Sequence, residues 1–206
     1  MANLQMQSVR HPFDDPRLAS RAVATLIRAD AMGLLPRKIT CLDDSAIRCL
    51  GVGLESAGIC RRFLADLRHP LASDPAHLCA VLEEIHDALD QSPAPMAEWP
   101  ALQEVLGSEL LAGLVGVSAS STRRYASGAR ATPDAIAVRL HFVALVVGDL
   151  AGAYNDIGVR RWFQRPRTRL DGNTPARALG VDWWPDEDGP KRVRELAASL
   201  ASSPAT

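Results

Sequence analysis

The residues best suited to chemistry in this chain are arginines and serines set at helical spacing, in the stretch "SASSTRRYASGAR" (118–130). Arginine presents a planar fork that grips guanine O6 and N7 in the major groove, or pins a phosphate. Serine hydroxyls near a helix N-terminus suit phosphate oxygens. The spacing predicts a nucleic-acid-binding helix with Ser120, Arg123 and Arg124 on its exposed face. Ser118 and Ser121 would sit at its start and Arg130 just beyond it. The competing reading is an ordinary helical hairpin with a glycine turn.

Other chemistries find less support. "GVGLESAG" (51–58) lacks the Lys-Ser/Thr ending of a phosphate-binding loop, and no nucleophile motif is present. Cys79, His69, His77 and His86 lie near one another in sequence, but their spacing fits no standard zinc pattern. The four cysteines (41, 49, 60, 79) contain no CxxC pair. The expectation is a protein that is not an enzyme and uses no metal or cofactor.

Charge supports the same direction. The formal net charge is −1, yet residues 1–100 sum to −3, while 118–170 hold nine arginines against Asp134, Asp149 and Asp156, a net +6. A basic segment in a neutral chain is a footprint for an anionic partner, nucleic acid above all, or else a solvated face. The only lysines are Lys38 and Lys191, so part of the arginine bias reflects composition. The start "MANLQMQSVRHPF" has no apolar signal core, and the cysteine usage suits a reduced setting, so a cytoplasmic location is expected. Arg139, His141 and Asp149 interrupt the apolar run 135–153, so no membrane span is expected.

The elements that must position these residues read almost entirely as helix. With 206 residues and 47% hydrophobic composition, the chain can bury one large core or two small ones. Residues 15–35 open with Asp15 and Pro16, a cap and first-turn pair. "LDDSAIRCLG", "SAGICRRFLADLRH" and "DPAHLCAVLEEIHDALD" suggest three more helices, and no strand pattern of useful length stands out. The predicted class is all-α. "QSPAPMAEWP" (91–100), with three prolines, is the candidate linker.

Beyond it, "SELLAGLVGVSASSTRRYASG" (108–128) meets the demands of a helix-turn-helix. Ala112 is the small crossing residue, Gly116 the turn, and Leu111, Val115, Val117 and Tyr125 the inner plugs. Ser118 would cap the second helix; Thr122 stands where an aliphatic residue is usual. In 132–154, Ile136, Leu140, Val143, Val147, Leu150 and Tyr154 form an apolar stripe behind a Thr132 cap and Pro133, suited to a core or a dimer seam.

The stretch that follows, "YNDIGVRRWFQRPRTRLDGNTPARAL", resembles the C-terminal toxin-binding domain of the Xre/MbcA/ParS family of bacterial antitoxins. The matching residues are Trp162, Phe163, Pro166, Leu170, Gly172, Thr174, Pro175 and Leu179, and the likeness runs over about residues 101–203. Physically these read as scaffold: buried rings, a helix stop, a turn glycine, and a cap from Asn173 or Thr174 with Pro175 at the first position. Two features depart from the family pattern, Arg167 in place of an asparagine and a longer, more acidic "GVDWWPDEDGP" (180–190). Residues 1–97 have no counterpart.

The helical pattern gives an N-terminal region of unknown role (1–97), followed by a helix-turn-helix (101–131), and the resemblance implies an antitoxin-like domain over 132–206. It implies an antitoxin that binds a RES-type, NAD-consuming toxin and represses its own operon through operator DNA, as a homodimer or as a hetero-oligomer with the toxin. Trp183, Trp184, Asp186, Glu187 and Asp188 are the expected toxin-facing residues, unless the tryptophans pack on the chain's own helices. The alternative is a stand-alone helix-turn-helix transcriptional regulator.

Overall fold

Residues 3–69 and 74–201 are described by a computed structural model, in which helices dominate. The chain separates into two compact units, one ending at Ser92 and the other beginning at Pro93.

In the first unit, the strand β1 (Leu4–Val9) precedes the helix α1 (Pro16–Ala31). A short strand β2 (Ile39–Leu42) leads into α2 (Asp44–Ala57), then α3 (Leu64–Arg68) and α4 (Pro75–Gln91). Asp15 caps α1 and Asp74 caps α4, each with proline at the first position, as the sequence predicts. α1 and α4 pack together, and Leu18 and Leu26 of the one and Leu82 and Ile85 of the other are buried. The Thr25 hydroxyl donates to the Leu82 carbonyl at 3.2 Å, and Arg28 pairs with Asp90 at 2.8 Å. The strands are a departure from a purely helical reading. β1 and β2 pair in parallel, Leu4 beside Ile39 and Val9 beside Leu42. The signal was the alternation Leu4-Gln5-Met6-Gln7, whose apolar members alone are half-buried. "GVGLESAG" forms the end of α2: Gly51 and Gly53 lie within the helix, Gly58 caps it in a left-handed conformation, and a Cβ on Gly53 would sit 1.7 Å from the Leu34 carbonyl oxygen. Gly53 therefore serves helix packing.

The second unit opens with α5 (Pro95–Leu106), which corrects the linker expectation. Pro95 takes the first helical position, where a missing N–H is harmless. Pro100 lies inside the helix and costs it a hydrogen bond, offset by burial of Trp99, Leu102, Val105 and Leu106. The break between units therefore falls near residue 92 and not at 97. Four further elements follow: α6 (Ser108–Val115), α7 (Ala119–Ala126), α8 (Asp134–Ala151) and α9 (Asp156–Gln164). The chain closes with α10 (Pro175–Leu179) and α11 (Asp188–Ala201).

α8 is the axis of this unit. Residues 139–150 are buried without a break, so the helix has no free side and its apolar stripe is core, not a dimer seam. Its three polar interruptions are each partnered: Arg139 with Asp182, His141 with Glu98, and Asp149 with Arg194. The α8 cap differs from expectation. Pro133, which has no polar side-chain atom, holds the cap position, and the Thr132 hydroxyl, one residue outside it, accepts the Trp99 Nε1–H at 3.0 Å. α6, α7 and the C-terminal elements fall in the same compact unit, so 101–131 and 132–206 do not form separate domains.

The motif 162–179 is scaffold. Trp162 and Phe163 are buried and meet edge-to-face, their centroids 5.2 Å apart. α9 stops before Arg165, which is extended ahead of Pro166. Gly172 takes a left-handed turn, and the Thr174 hydroxyl, not Asn173, caps α10 with Pro175 at its first position. Arg167 stands 5.5 Å over the Trp162 ring, a cation–π contact that gives this departure a folding role.

Candidate nucleic-acid interface

α6 and α7 are joined by a left-handed turn at Gly116 (φ 75°), a conformation glycine adopts without steric cost. Leu111, Ala112, Val115 and Tyr125 are buried as plugs, while Val117 is half-buried. Thr122 is fully buried, and its hydroxyl donates to the Ser118 carbonyl at 3.2 Å, so a threonine fills the aliphatic position without leaving a polar group unpaired.

The outward face is polar and cationic. Ser118, Ser120, Arg123, Arg124 and Arg130 are exposed, and Ser121 is half-buried. Ser118 caps α7 through the Ser121 N–H at 3.2 Å, and its hydroxyl lies 3.0 Å from those of Ser120 and Ser121. One of these hydroxyls is thus spent on the cap. The Arg123 and Arg124 guanidinium groups have no protein partner among the described residues, which leaves both forks available to an anion. Arg130 is drawn back over the Tyr125 ring at 5.6 Å.

The helix is braced from behind. Tyr125 stacks on Trp99 at 5.5 Å, and Trp99 is pinned in turn by Thr132. A face held this firmly meets the need for a pre-ordered recognition surface.

The basic segment as a whole proves only partly available. Arg139 is buried. Arg160 caps the end of α5, donating to the Glu104 and Val105 carbonyls, and Arg167 sits on Trp162. Arg169 reaches the Ser199 hydroxyl at 3.4 Å. The exposed cations left over are Arg123 and Arg124 on α7, with Arg161 and Arg165 near the end of α9.

The loop before α11 was the second expected site. Trp183 is a correction: it is only 1% exposed, its Nε1–H donates to the Leu114 carbonyl at 2.9 Å, and Phe142 meets it edge-on. Its ring is core and faces no partner. Trp184, at 46% exposed, stands outside, as do Val181, Asp186, Glu187 and Asp188. Asp188 begins α11, where a carboxylate complements the helix dipole.

Among the described residues no three His, Cys, Asp or Glu side chains cluster to hold a metal ion, and no single helix is long and apolar enough to cross a membrane. Comparison with protein-family models, curated proteins and solved structures finds no match to this chain.

Proposed function

We propose that the chain is a DNA-binding antitoxin, one that contacts operator DNA through α7 and neutralises a RES-type, NAD-consuming toxin by direct binding. The observation that carries the DNA reading is the pair of unpartnered, exposed arginines, Arg123 and Arg124, on a helix braced by Trp99 and Tyr125. The toxin reading rests on the motif from Trp162 to Leu179 and on the exposed Trp184 with its acidic neighbours. Association with the toxin blocks its action, and contact of α7 with operator DNA represses the operon.

The second reading is a stand-alone regulator that uses the same α7 face. The burial of Trp183 favours it, because it removes one of the two aromatic anchors expected at a toxin interface.

Gel-shift titration with DNA from the chain's own promoter tests the shared part. Arg123→Ala with Arg124→Ala should abolish sequence-preferring binding with the melting temperature unchanged, each base-reading fork contributing about 1–3 kcal/mol of discrimination. Unchanged affinity in the double variant would refute the recognition helix. Co-expression with a RES-type toxin encoded beside this chain separates the two readings: restored growth supports the antitoxin, and undiminished toxicity supports the regulator.

A further inference from the structure

A helix end leaves carbonyl groups without intrahelical partners, and they must be satisfied from elsewhere. At the end of α6, the Gly116 and Val117 N–H groups both turn back to the Ala112 carbonyl. Among the carbonyls that remain are those of Leu114 and Val115. Both are capped by residues far along the chain: Trp183 donates its Nε1–H to Leu114 at 2.9 Å, and Arg139 Nη1 lies 3.5 Å from the Val115 oxygen. Arg139 also donates through Nε to the Trp183 carbonyl at 2.8 Å and through Nη1 to Asp182 Oδ1 at 3.0 Å.

This cluster lies on the helix-turn-helix turn itself. A Cβ added to Gly116 would come within 3.2 Å of Arg139 Nη1 and 3.9 Å of Asp182 Oδ1. Its two charges are unequally placed, the Arg139 side chain being 5% exposed and the Asp182 side chain 80% exposed. Asp182 also holds a left-handed backbone (φ 54°), a conformation of higher energy for any residue with a Cβ. A buried cation whose carboxylate is removed becomes an uncompensated charge, so a change at the surface is felt in the interior. Val181, just before Asp182 in the chain, and Trp184, two residues after it, are exposed.

We infer that Arg139 positions the helix-turn-helix and that Asp182 is the surface control point that keeps it in place. The inference rests on the reading that α7 meets DNA and the 180–188 loop meets a protein partner. The fitting partner presents a cation to Asp182 and an apolar socket to Trp184. Drawing Asp182 away frees the Arg139 guanidinium, loosens the α6 end and turn, and weakens DNA binding. By linkage, bound DNA holds the loop closed and weakens the partner by the same factor. The two surfaces thus regulate each other through one buried arginine.

Hydrogen exchange on the full chain tests this without DNA or partner. Asp182→Asn removes the charge while keeping a side chain that tolerates left-handed backbone. It should speed exchange at the amides of Gly116, Val117 and Thr122 by about tenfold, a local opening, with α1 and α4 unchanged. Trp184→Ala, which leaves the Arg139 contacts intact, should match wild type at those amides. Unchanged exchange over 116–122 in Asp182→Asn overturns the inference. So does a uniform rise over 95–201, which would make Asp182 general glue, and so does an equal effect from Trp184→Ala. Any of these results overturns the control point alone, whereas failure of wild type to bind its promoter DNA overturns the reading beneath it.

Discussion

Glu98 Oε1 lies 2.6 Å from Nδ1 of His141, and the two side chains are almost wholly buried between α5 and α8. The next residue after Glu98 is Trp99, whose ring stacks on Tyr125 of α7. A buried carboxyl therefore sits one residue from the brace of the candidate DNA-binding face.

Burial pushes the Glu98 carboxyl above its usual 4.5, and the hydrogen bond from His141 only partly offsets that. The sign follows from proton counts. Where the folded chain holds the proton more tightly than the unfolded one, stability falls as pH rises. Wild type should therefore lose stability relative to Glu98→Gln as pH climbs from about 4.5 through the raised folded value. All four tryptophans lie beyond Pro93, so tryptophan emission follows this unit alone. Thermal melts read by emission at acid and neutral pH should show Glu98→Gln gaining on wild type toward neutrality. A constant gap would mean that the carboxyl titrates normally.

The first unit should respond in the opposite sense. Burial first, and then the Arg28 charge, lower the His86 pKa from 6.5. As pH falls through that value, the unfolded chain takes up a proton that the folded chain declines, so stability is lost on acidification. Amide exchange in α4 should accelerate on going from neutral to acid pH beyond the intrinsic rate change, and His86→Gln should flatten that response. An identical pH response in the variant would rule His86 out as its source.

Trp162 should behave as an apolar anchor. It is 1% exposed, and its Nε1 has no hydrogen-bond partner among the described residues. Trp162→Ala should destabilise the second unit by about 3–5 kcal/mol in denaturant titration, through lost burial and a residual cavity. Trp162→Phe should retain most of the stability, since no hydrogen bond is lost with the indole. A Phe variant as damaged as the Ala variant would show that the nitrogen is in fact engaged.

How much of this was legible beforehand depended on range. The α6–Gly116–α7 turn, the Ser118 cap and the outward Arg123 and Arg124 follow from neighbours within one or two helical turns, and the sequence displays them. The Thr174 cap and Pro175 are local in the same way. Trp183 was not readable, because its partner is the Leu114 carbonyl 69 residues earlier, and no spacing rule links the two. Arg139 looked like a mere interruption of an apolar run, although a buried arginine always needs partners. Thr132 was misread for a related reason: Trp99, 33 residues before it, takes the hydroxyl a local rule assigns to the cap. β1 was overlooked because only Leu4 and Met6 mark its inner side, too few to compete with the surrounding helical pattern.

The burial of Trp183 also decides how the partner surface can be tested. Removing everything after Leu179 would strip out Trp183 and α11, whose Val193 and Ala197 are wholly buried, so lost activity would report lost folding. The informative change is confined to the outside. The Trp184, Asp186 and Glu187 side chains are exposed, and none of them is a hydrogen-bond partner of Arg139. Trp184→Ala with Asp186→Lys and Glu187→Lys should leave stability within about 0.5 kcal/mol of wild type, as surface substitutions usually do. If the toxin presents a basic rim around an apolar socket, the same triple variant removes the anchor and reverses the attraction, and rescue of growth in co-expression should be lost. Binding of promoter DNA should persist, since α7 is untouched. Full rescue by the triple variant would place the toxin contact elsewhere on the second unit, with the exposed Arg161 and Arg165 at the end of α9 as the next surface to reverse.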